Sequence, residues 1–314
     1  MIFSSHGSVH YSSFPFELMN LAGKCLKDLY QFIMFSSIFV GLAAMGMVYT
    51  SCFIQELPIG PPAMIIMFLT AYSVYNLNRK TDEDEDVINH EGRYAFTKKN
   101  EGVLFLSAIF AYAGAVGIAI FSGPYAVFVT LIPLLSGVLY SMKWLPPGFR
   151  YRRLKDIPVI KNIVVALAWS SMLSLLPVSL TGAIPDEEMF IAFFMFFSYA
   201  FIASTIPDIR DRNGDALAGI ITIPVLYGER KTKEFLIGFN LVSCLFLIGI
   251  SFATLPLGIT SIIAITMIYI HICLALLGNP SLKKYVYDLF ADGQFLFLGS
   301  ALFFMATAHV FPSL

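Results

Sequence analysis

The stretch NRKTDEDED, residues 78–86, places five consecutive acids directly after an apolar segment. Within it, Asn78, Asp82 and Asp86 are spaced i, i+4 and i+8. On an α-helix, side chains four residues apart are offset by only about 40° around the axis, so the three side chains share one helix face. The sequence therefore predicts a short ladder of oxygen ligands. The remaining acids leave that face and are assigned to solvent: Glu83, Asp84 and Glu85.

A second acid cluster lies in DIRDRNGD, which also follows an apolar segment. Asp208, Asp211 and Asp215 are spaced i, i+3 and i+7, so they again share one face of a helix. Crowded carboxylates repel one another unless a cation lies among them. Oxygen ligands without His or Cys suit Mg²⁺, which commonly binds one or two carboxylates together with substrate phosphates. We therefore predict that the two ladders hold Mg²⁺ ions, with a diphosphate bridging them.

The elements that must position these ladders are membrane helices. Of the 314 residues, 57% are hydrophobic and only 13% are charged, whereas an ordinary soluble domain is about 25% charged. This composition indicates an integral membrane protein embedded in a lipid bilayer. The net charge of −1 gives no basic excess for binding nucleic acid. No obligatory protein partner is inferred from the sequence.

We predict an all-α fold with nine transmembrane helices, because a bilayer core requires about 20 apolar residues per helix. The predicted spans lie near 30–52, 60–78, 102–121, 124–141, 159–179, 188–206, 234–253, 257–277 and 293–311. Tight reversals are expected at Ser122-Gly123-Pro124 and around Pro256, because Gly and Pro favour turns. Residues 1–314 are interpreted as one domain with two helical halves, roughly 30–141 and 159–311.

The distribution of basic residues orients the predicted spans. The segments before the first span and after the second, fourth, sixth and eighth contain 2, 5, 6, 5 and 2 Lys or Arg, the full complement of 20. The positive-inside rule therefore places the N-terminus and both acid clusters in the cytoplasm and the C-terminus outside, in the cell (plasma) membrane. The first twenty residues lack the basic and apolar segments of a signal peptide, so no cleavage is expected.

An acid run after an apolar segment is more often a solvated surface than a metal site. The first cluster alone would favour that simpler interpretation. Asp208, however, follows Pro207 at the edge of an apolar segment, and acids at membrane depth are costly and usually functional. Two clusters on the same side of the membrane, each with one-face spacing, favour the metal site.

The paired motifs resemble those of the UbiA superfamily of intramembrane prenyltransferases. NRKTDEDED reads as N-x-x-x-D-x-x-x-D, and DIRDRNGD reads as D-x-x-D-x-x-G-D. The following ALAGIITIPVLYG contains G-I-x-T-x-P-x-x-x-G. The family is similar in having nine helices around a central cavity that faces the cytoplasm, with acid motifs after helices two and six. The resemblance implies the same polytopic, UbiA-like architecture here.

The resemblance also implies a reaction, the Mg²⁺-dependent transfer of a prenyl group from an isoprenoid diphosphate to a lipophilic acceptor. Mg²⁺ held by the acid motifs, above all by Asn78, Asp82, Asp211 and Asp215, would stabilise the departing diphosphate. Aromatic faces would stabilise the allylic carbocation left behind, by about 2 kcal/mol. The candidates are Tyr72, Tyr75, Tyr140, Trp169 and Tyr199. The acceptor stays open between an aromatic ring, a glyceryl-phosphate ether and an isoprenoid.

Basic residues near the ladders are expected to bind the diphosphate. The loop from 143 to 161 contains six of them, although they could equally anchor the loop to lipid headgroups. The family's Tyr-x-x-x-Lys element fits Tyr151 with Lys155, whereas Tyr140 and Lys143 are one residue too close. The candidates for diphosphate binding are Arg79, Lys143, Arg153 and Lys155.

Other interpretations and residues remain open at this stage. The same ionisation would serve a UbiA-type terpene cyclase, and a cation-coupled transporter is a further alternative. A transporter usually has acids near the midplane and broken helices in inverted repeats, whereas both clusters here lie on one side. Asp288 and Asp292 either line the cavity mouth or cap the last helix. The five histidines show no ligand spacing and are interpreted as structural or solvated.

Overall fold

The computed structural model describes residues 14–81, 87–142, 146, 153–154, 157–282 and 285–307. Asp82 and Asp86 of the first acid cluster lie outside the described residues, as do Lys143 and Lys155. All regular structure in the described part is helical. Its α-helices are α1 Phe14–Phe35, α2 Ile38–Ile54, α3 Pro61–Thr81, α4 Glu91–Lys99, α5 Glu101–Ser122, α6 Pro124–Ser141, α7 Ile160–Thr181, α8 Glu187–Leu217, α9 Ile223–Tyr227, α10 Glu229–Thr254, α11 Leu257–Leu276 and α12 Ala291–Thr307.

Six of these helices, α5 to α8, α10 and α11, are long and apolar enough to cross a membrane. A seventh candidate is the pair Gly23–Phe35 and Ile38–Ile54, which is bent by 60°. The chain is therefore an all-helical polytopic membrane protein with six or seven candidate spans. The other two predicted spans coincide with α3 and α12. Helix α3 is less apolar than the six because polar residues occupy its end, and the described part of α12 is a shorter apolar helix of 17 residues.

The predicted helix reversals are confirmed. Helix α5 ends at Ser122 and α6 begins at Pro124, joined by Gly123 with a φ of 114°. That angle lies in a region open to glycine but not to residues with a Cβ. Helices α10 and α11 are separated only by Leu255 and Pro256, as expected.

Helix α8 lies in the interior of the bundle. Of the residues in the most apolar stretch of α8, 67% are buried inside the protein, against 22% in the corresponding stretch of each of α5, α6 and α10. Helix α8 packs along α7 and α10, while α3 packs between α2 and α5. The central position of α8 matters because this helix carries the second acid cluster at its end.

Two glycines allow α2 and α12 to cross closely. A Cβ added to Gly46 would lie 2.0 Å from the Phe295 carbonyl oxygen, and one added to Gly299 would lie 2.6 Å from the Gly46 Cα. Small residues commonly permit such approaches between membrane helices. The crossing brings α12, the last described helix, against the first half of the bundle.

We expect Gly46→Ala to destabilise the protein by about 1–3 kcal/mol, because the added methyl group must push α2 away from α12. Gly117→Ala in α5 is the matched control, since a Cβ there meets nothing within 4 Å. Thermal unfolding of both variants in detergent, followed by circular dichroism, tests the expectation. Equal midpoints for Gly46→Ala and Gly117→Ala would show that the two helices do not cross at this point.

Candidate active site

Helix α8 presents the second ladder on one face. It continues through Pro207 to Leu217, beyond residue 206 where the apolar span was predicted to end. Asp208 and Asp215 are only 7% and 6% exposed, and Asp211 is partly buried. The neighbouring Arg212 and Asn213 are exposed, so the helix turns its carboxylates inward and other polar side chains outward.

Asp208 is held by the first turn of α7. The Lys161 ammonium lies 2.7 Å from Oδ1 of Asp208, and Asn162 Nδ2 donates to Oδ2 at 3.2 Å. The Lys161 side chain is itself 16% exposed. Removing one partner of a buried ion pair leaves an uncompensated charge, which costs about 3–5 kcal/mol. An ion pair therefore joins α7 and α8, and loss of either side chain would leave the other charge without its partner.

Asp211 lies in a cluster with Arg210 and His90. The guanidinium of Arg210 donates to both Asp211 carboxylate oxygens, through Nε at 2.8 Å and Nη2 at 3.0 Å. His90 Nε2 lies 3.2 Å from Asp211 Oδ2 and 2.8 Å from Arg210 Nη2. A single ring nitrogen cannot donate to Asp211 and accept from Arg210 at once. His90 thus has two competing hydrogen-bonding arrangements within one cluster.

Arg210 also contacts an aromatic ring near the start of α12. Its guanidinium carbon lies 5.8 Å from the centre of the Tyr287 ring, within the π-helical turn Val286–Phe290. Burial raises the pKa of the Tyr287 phenol to about 12, so the ring stays neutral. A cation over such a face is attracted by the ring quadrupole. Arg210 is therefore positioned from two sides, by Asp211 and by Tyr287.

Asp215 contacts the chain that follows the first acid cluster. Asn89 Nδ2 donates to Asp215 Oδ1 at 3.1 Å. Gly214 makes this approach possible, because a Cβ there would lie 1.7 Å from Asn89 Oδ1. The glycine of the D-x-x-D-x-x-G-D pattern thus provides space for a neighbouring segment.

These contacts connect the segment after the first acid motif to the second motif, which lies far away in sequence. Asn89 and His90 follow Asp86 by three and four residues. They contact Asp215 and Asp211, which are 126 and 121 residues away from them in sequence. The structure therefore brings the segment directly after the first motif onto the ladder face of the second.

The model of the UbiA prenyltransferase family matches residues 37–299, which include both motifs. The chain belongs to this family. It is therefore an enzyme of the UbiA prenyltransferase type. No curated protein matches the sequence significantly.

Solved structures show the same fold. A UbiA homolog from Archaeoglobus fulgidus bound to GPP and Mg²⁺ is 18% identical, with a TM-score of 0.62 over 87% of this chain and 99% of that chain. The apo UbiA homolog from Aeropyrum pernix K1 is 16% identical, with a TM-score of 0.62 over 85% of this chain and 98% of that chain. A digeranylgeranylglyceryl phosphate synthase is 18% identical, with a TM-score of 0.54 over 89% and 96%.

The donor chemistry of this UbiA protein fits Mg²⁺. The second ladder offers only oxygen ligands, which this hard ion prefers. The described residues contain no group of three or more His, Cys, Asp or Glu that could hold a metal ion. The ammonium of Lys161 and the guanidinium of Arg210 compensate charge on the ladder, and the amides of Asn89 and Asn162 donate hydrogen bonds to it.

The predicted diphosphate-binding residues fall in different places. Arg79 lies in the last turn of α3, directly after Asn78, and its Nη2 donates to the Met34 carbonyl at 3.4 Å. It lines a small cavity together with Tyr94 and Lys98. Arg153 is partly buried in a short described turn.

Two of the candidate aromatics, Tyr75 and Tyr199, lie near Asp292 in the first turn of α12, and Trp169 packs against the first of them. Tyr75 stacks on Trp169 with ring centres 6.0 Å apart. The Tyr199 hydroxyl donates to the Ala291 carbonyl at 2.7 Å. Asp292 is close enough to interact electrostatically with both tyrosines. Tyr72 instead shares a 2.7 Å hydrogen bond with Ser107 of α5, so its hydroxyl is directed to a neighbouring helix.

The partners of the second ladder are not among the site residues that the sequence predicts. Lys161 has a sequence signal, because a lysine at the start of an apolar segment indicates a nearby acid. His90, expected to be structural or solvated, lies against Asp211. The sequence carries no local signal for Asn89 or Asn162, since their roles depend on which helices pack together.

Proposed function

We propose that this protein transfers a prenyl group from an isoprenoid diphosphate to a lipophilic acceptor in a Mg²⁺-dependent reaction. The allylic C–O bond breaks, the electron pair leaves with diphosphate, and the acceptor forms a new bond to the resulting carbocation and loses a proton, which the released diphosphate takes up. The supporting observation is the contact of Asn89 and His90 with Asp215 and Asp211, which joins the two acid motifs.

The metal ligands proposed are Asn78, Asp82, Asp86, Asp208, Asp211 and Asp215. When bound, Mg²⁺ would neutralise the charge that develops on the departing diphosphate. Three residues of extended chain span at most about 10 Å, which limits how far Asp86 can lie from Asn89.

Basic residues would hold the diphosphate in place. Lys161 and Arg210 already lie against the second ladder, and their donors suit phosphate oxygens as well as carboxylates. We propose that they contact the diphosphate in addition to the candidates from the sequence, which are Arg79, Lys143, Arg153 and Lys155. When diphosphate binds, Lys161 and Arg210 would then exchange their carboxylate partners for phosphate oxygens.

The carbocation would lie against the aromatic group around Asp292. Tyr75 stacks on Trp169 and Tyr199 packs edge-on against Phe295, and an aromatic face turned to the substrate would attract the cation. The Asp292 carboxylate adds negative charge to the same region. These residues also favour exclusion of water, because Tyr199 is buried and Tyr75 is packed against the Trp169 indole.

We further propose nine membrane crossings around a central cavity, in one domain of two helical halves. The N-terminus and acid motifs face the cytoplasm and the C-terminus lies outside the plasma membrane. A reporter fused at Leu314 should then be external, and one fused after Asn89 cytoplasmic. Phosphatase and fluorescence fusions measure this directly, and finding both positions on one side would contradict the arrangement.

The decisive experiment identifies the product. Purified protein is incubated with labelled geranylgeranyl diphosphate, Mg²⁺ and an extract of its own membrane lipids, and labelled products are analysed by mass spectrometry. A prenylated lipid or aromatic compound supports transfer and names the acceptor. A cyclised hydrocarbon formed without acceptor would support a terpene cyclase instead. Release of no diphosphate from any prenyl donor would contradict both.

A further inference from the structure

Helix α1 has an apolar face that the rest of the described chain leaves largely exposed. Leu26, Leu29 and Phe32 are spaced i, i+3 and i+6, so they share one side of the helix. They are 67%, 54% and 50% exposed, and Cys25 beside them is also exposed. The opposite side carries the polar residues Lys24, Lys27, Asp28 and Gln31. The helix is therefore amphipathic but largely unpaired.

The direction of α1 separates it from the membrane span. Helices α1 and α2 are bent by 60° at Ser36 and Ser37. Ser37 has a φ of 66°, a left-handed conformation that ends the regular helix. Membrane helices tilt by about 20° on average from the bilayer normal. With α2 tilted by that amount, the 60° bend inclines α1 by about 40–80° from the bilayer normal, well beyond the average tilt of a spanning helix.

We propose that α1 is an interfacial helix whose apolar face binds the bilayer surface at the N-terminal end of α2. An amphipathic helix with lysines on its polar face is suited to this position, because its apolar side enters the headgroup boundary while its charges stay in water. Lipid is the occupant because α1 is continuous with a helix that enters the membrane. The face therefore lies at the depth where lipid surrounds the protein.

The end of α1 contacts both flanks of the first acid motif. Just before the motif, Asn76 Nδ2 donates to the Ser36 carbonyl at 3.0 Å, and Arg79, the second residue of the motif, contacts Met34 as described above. After it, Phe96 of α4 packs against Phe32 and Phe35, with ring centres 6.4 and 5.8 Å apart. A helix fixed on the bilayer would thus brace the segment that carries Asp82 and Asp86. Only this consequence rests on the proposed function.

A fluorescent probe on native Cys25 tests the position of the helix. Cys52 and Cys273 are buried, so Cys244→Ala leaves Cys25 as the accessible thiol. The labelled full-length protein is reconstituted in phosphatidylcholine vesicles that contain nitroxide lipids, shallow or at the bilayer centre. The matched control carries the probe on the polar face, through Lys27→Cys in a Cys25→Ser background. We expect the shallow nitroxide to quench the probe at position 25 several-fold more strongly than the probe at position 27. Aqueous iodide should show the opposite preference and quench the probe at position 27 more strongly.

Each other outcome would overturn the proposal. Equal iodide quenching at both positions would show that α1 is surrounded by water. Strongest quenching by the central nitroxide at both positions would make α1 a continuation of the span. Protection of position 25 that disappears as the protein is diluted in lipid would assign the face to a second copy of the chain.

Discussion

Asp211→Asn should lower turnover by about 100- to 1000-fold while leaving the protein folded. Losses of this size follow when a group that stabilises developing charge is removed. Asp211 is partly exposed and its partner Arg210 also contacts Tyr287, so the guanidinium is not left alone. Single-turnover release of diphosphate measures the loss, and thermal unfolding in detergent measures stability. Asn213→Ala, on the exposed side of the same turn, should change neither quantity.

Asp208→Asn should behave differently from Asp211→Asn although the two residues share one face. It leaves the Lys161 ammonium without its carboxylate partner at 2.7 Å, at a cost of about 3–5 kcal/mol of stability. The double variant with Lys161→Met should recover much of that stability but not the activity. If Asp208→Asn were as stable as the unmodified protein, the buried ion pair would be wrong. If Asp211→Asn kept full turnover, the ladder would not be catalytic.

The first motif can be tested by the same comparison. Asp82→Ala should nearly abolish turnover, whereas Asp84→Ala should be close to neutral, because only Asp82 shares the helix face of Asn78. Both variants replace an aspartate by alanine, so a difference in turnover between them reports the position of the carboxylate. Equal damage at both positions would rule out the one-face geometry of the first ladder.

What could be predicted from sequence follows from local geometry. The spacing of Asp208, Asp211 and Asp215 determines their common face as soon as the segment is helical, and α8 is helical through Leu217. Apolar length likewise located the helices. The count of spans was less secure, because polar motif residues at the end of α3 reduce its apolar content without ending the helix.

The partners of the ladder could not be predicted, because they depend on packing between distant segments. The contact of Lys161 with Asp208 requires α7 and α8 to lie side by side in one register. The approach of Asn89 to Asp215 requires a chain reversal after the first motif and a glycine at 214. Gly214 appears in the motif, but its sequence neighbours do not show what fills the space beside it.

Mg²⁺ and a prenyl diphosphate should bind with positive coupling of about 1–3 kcal/mol, or about 5- to 150-fold in affinity. Each ligand alone meets an obstacle in this site. A metal ion alone must compete with Lys161 and Arg210 for the carboxylates of the second ladder. A diphosphate alone would draw those cations away and leave the carboxylates facing its own charge. Together, the ligands satisfy the carboxylates and the basic side chains at once.

Calorimetric titration of a prenyl thiodiphosphate, which ionises slowly, with and without Mg²⁺ measures this coupling without turnover. A prenyl monophosphate is the matched ligand and should depend much less on the metal. Asp211→Asn should reduce the coupling, whereas Asn213→Ala should leave it unchanged. A transporter whose acids bind the transported cation would take up Mg²⁺ with no need for the diphosphate. Equal affinity for the thiodiphosphate in both conditions would therefore exclude a metal-bridged site, and with it the proposed reason why two acid ladders face the same end of the bundle.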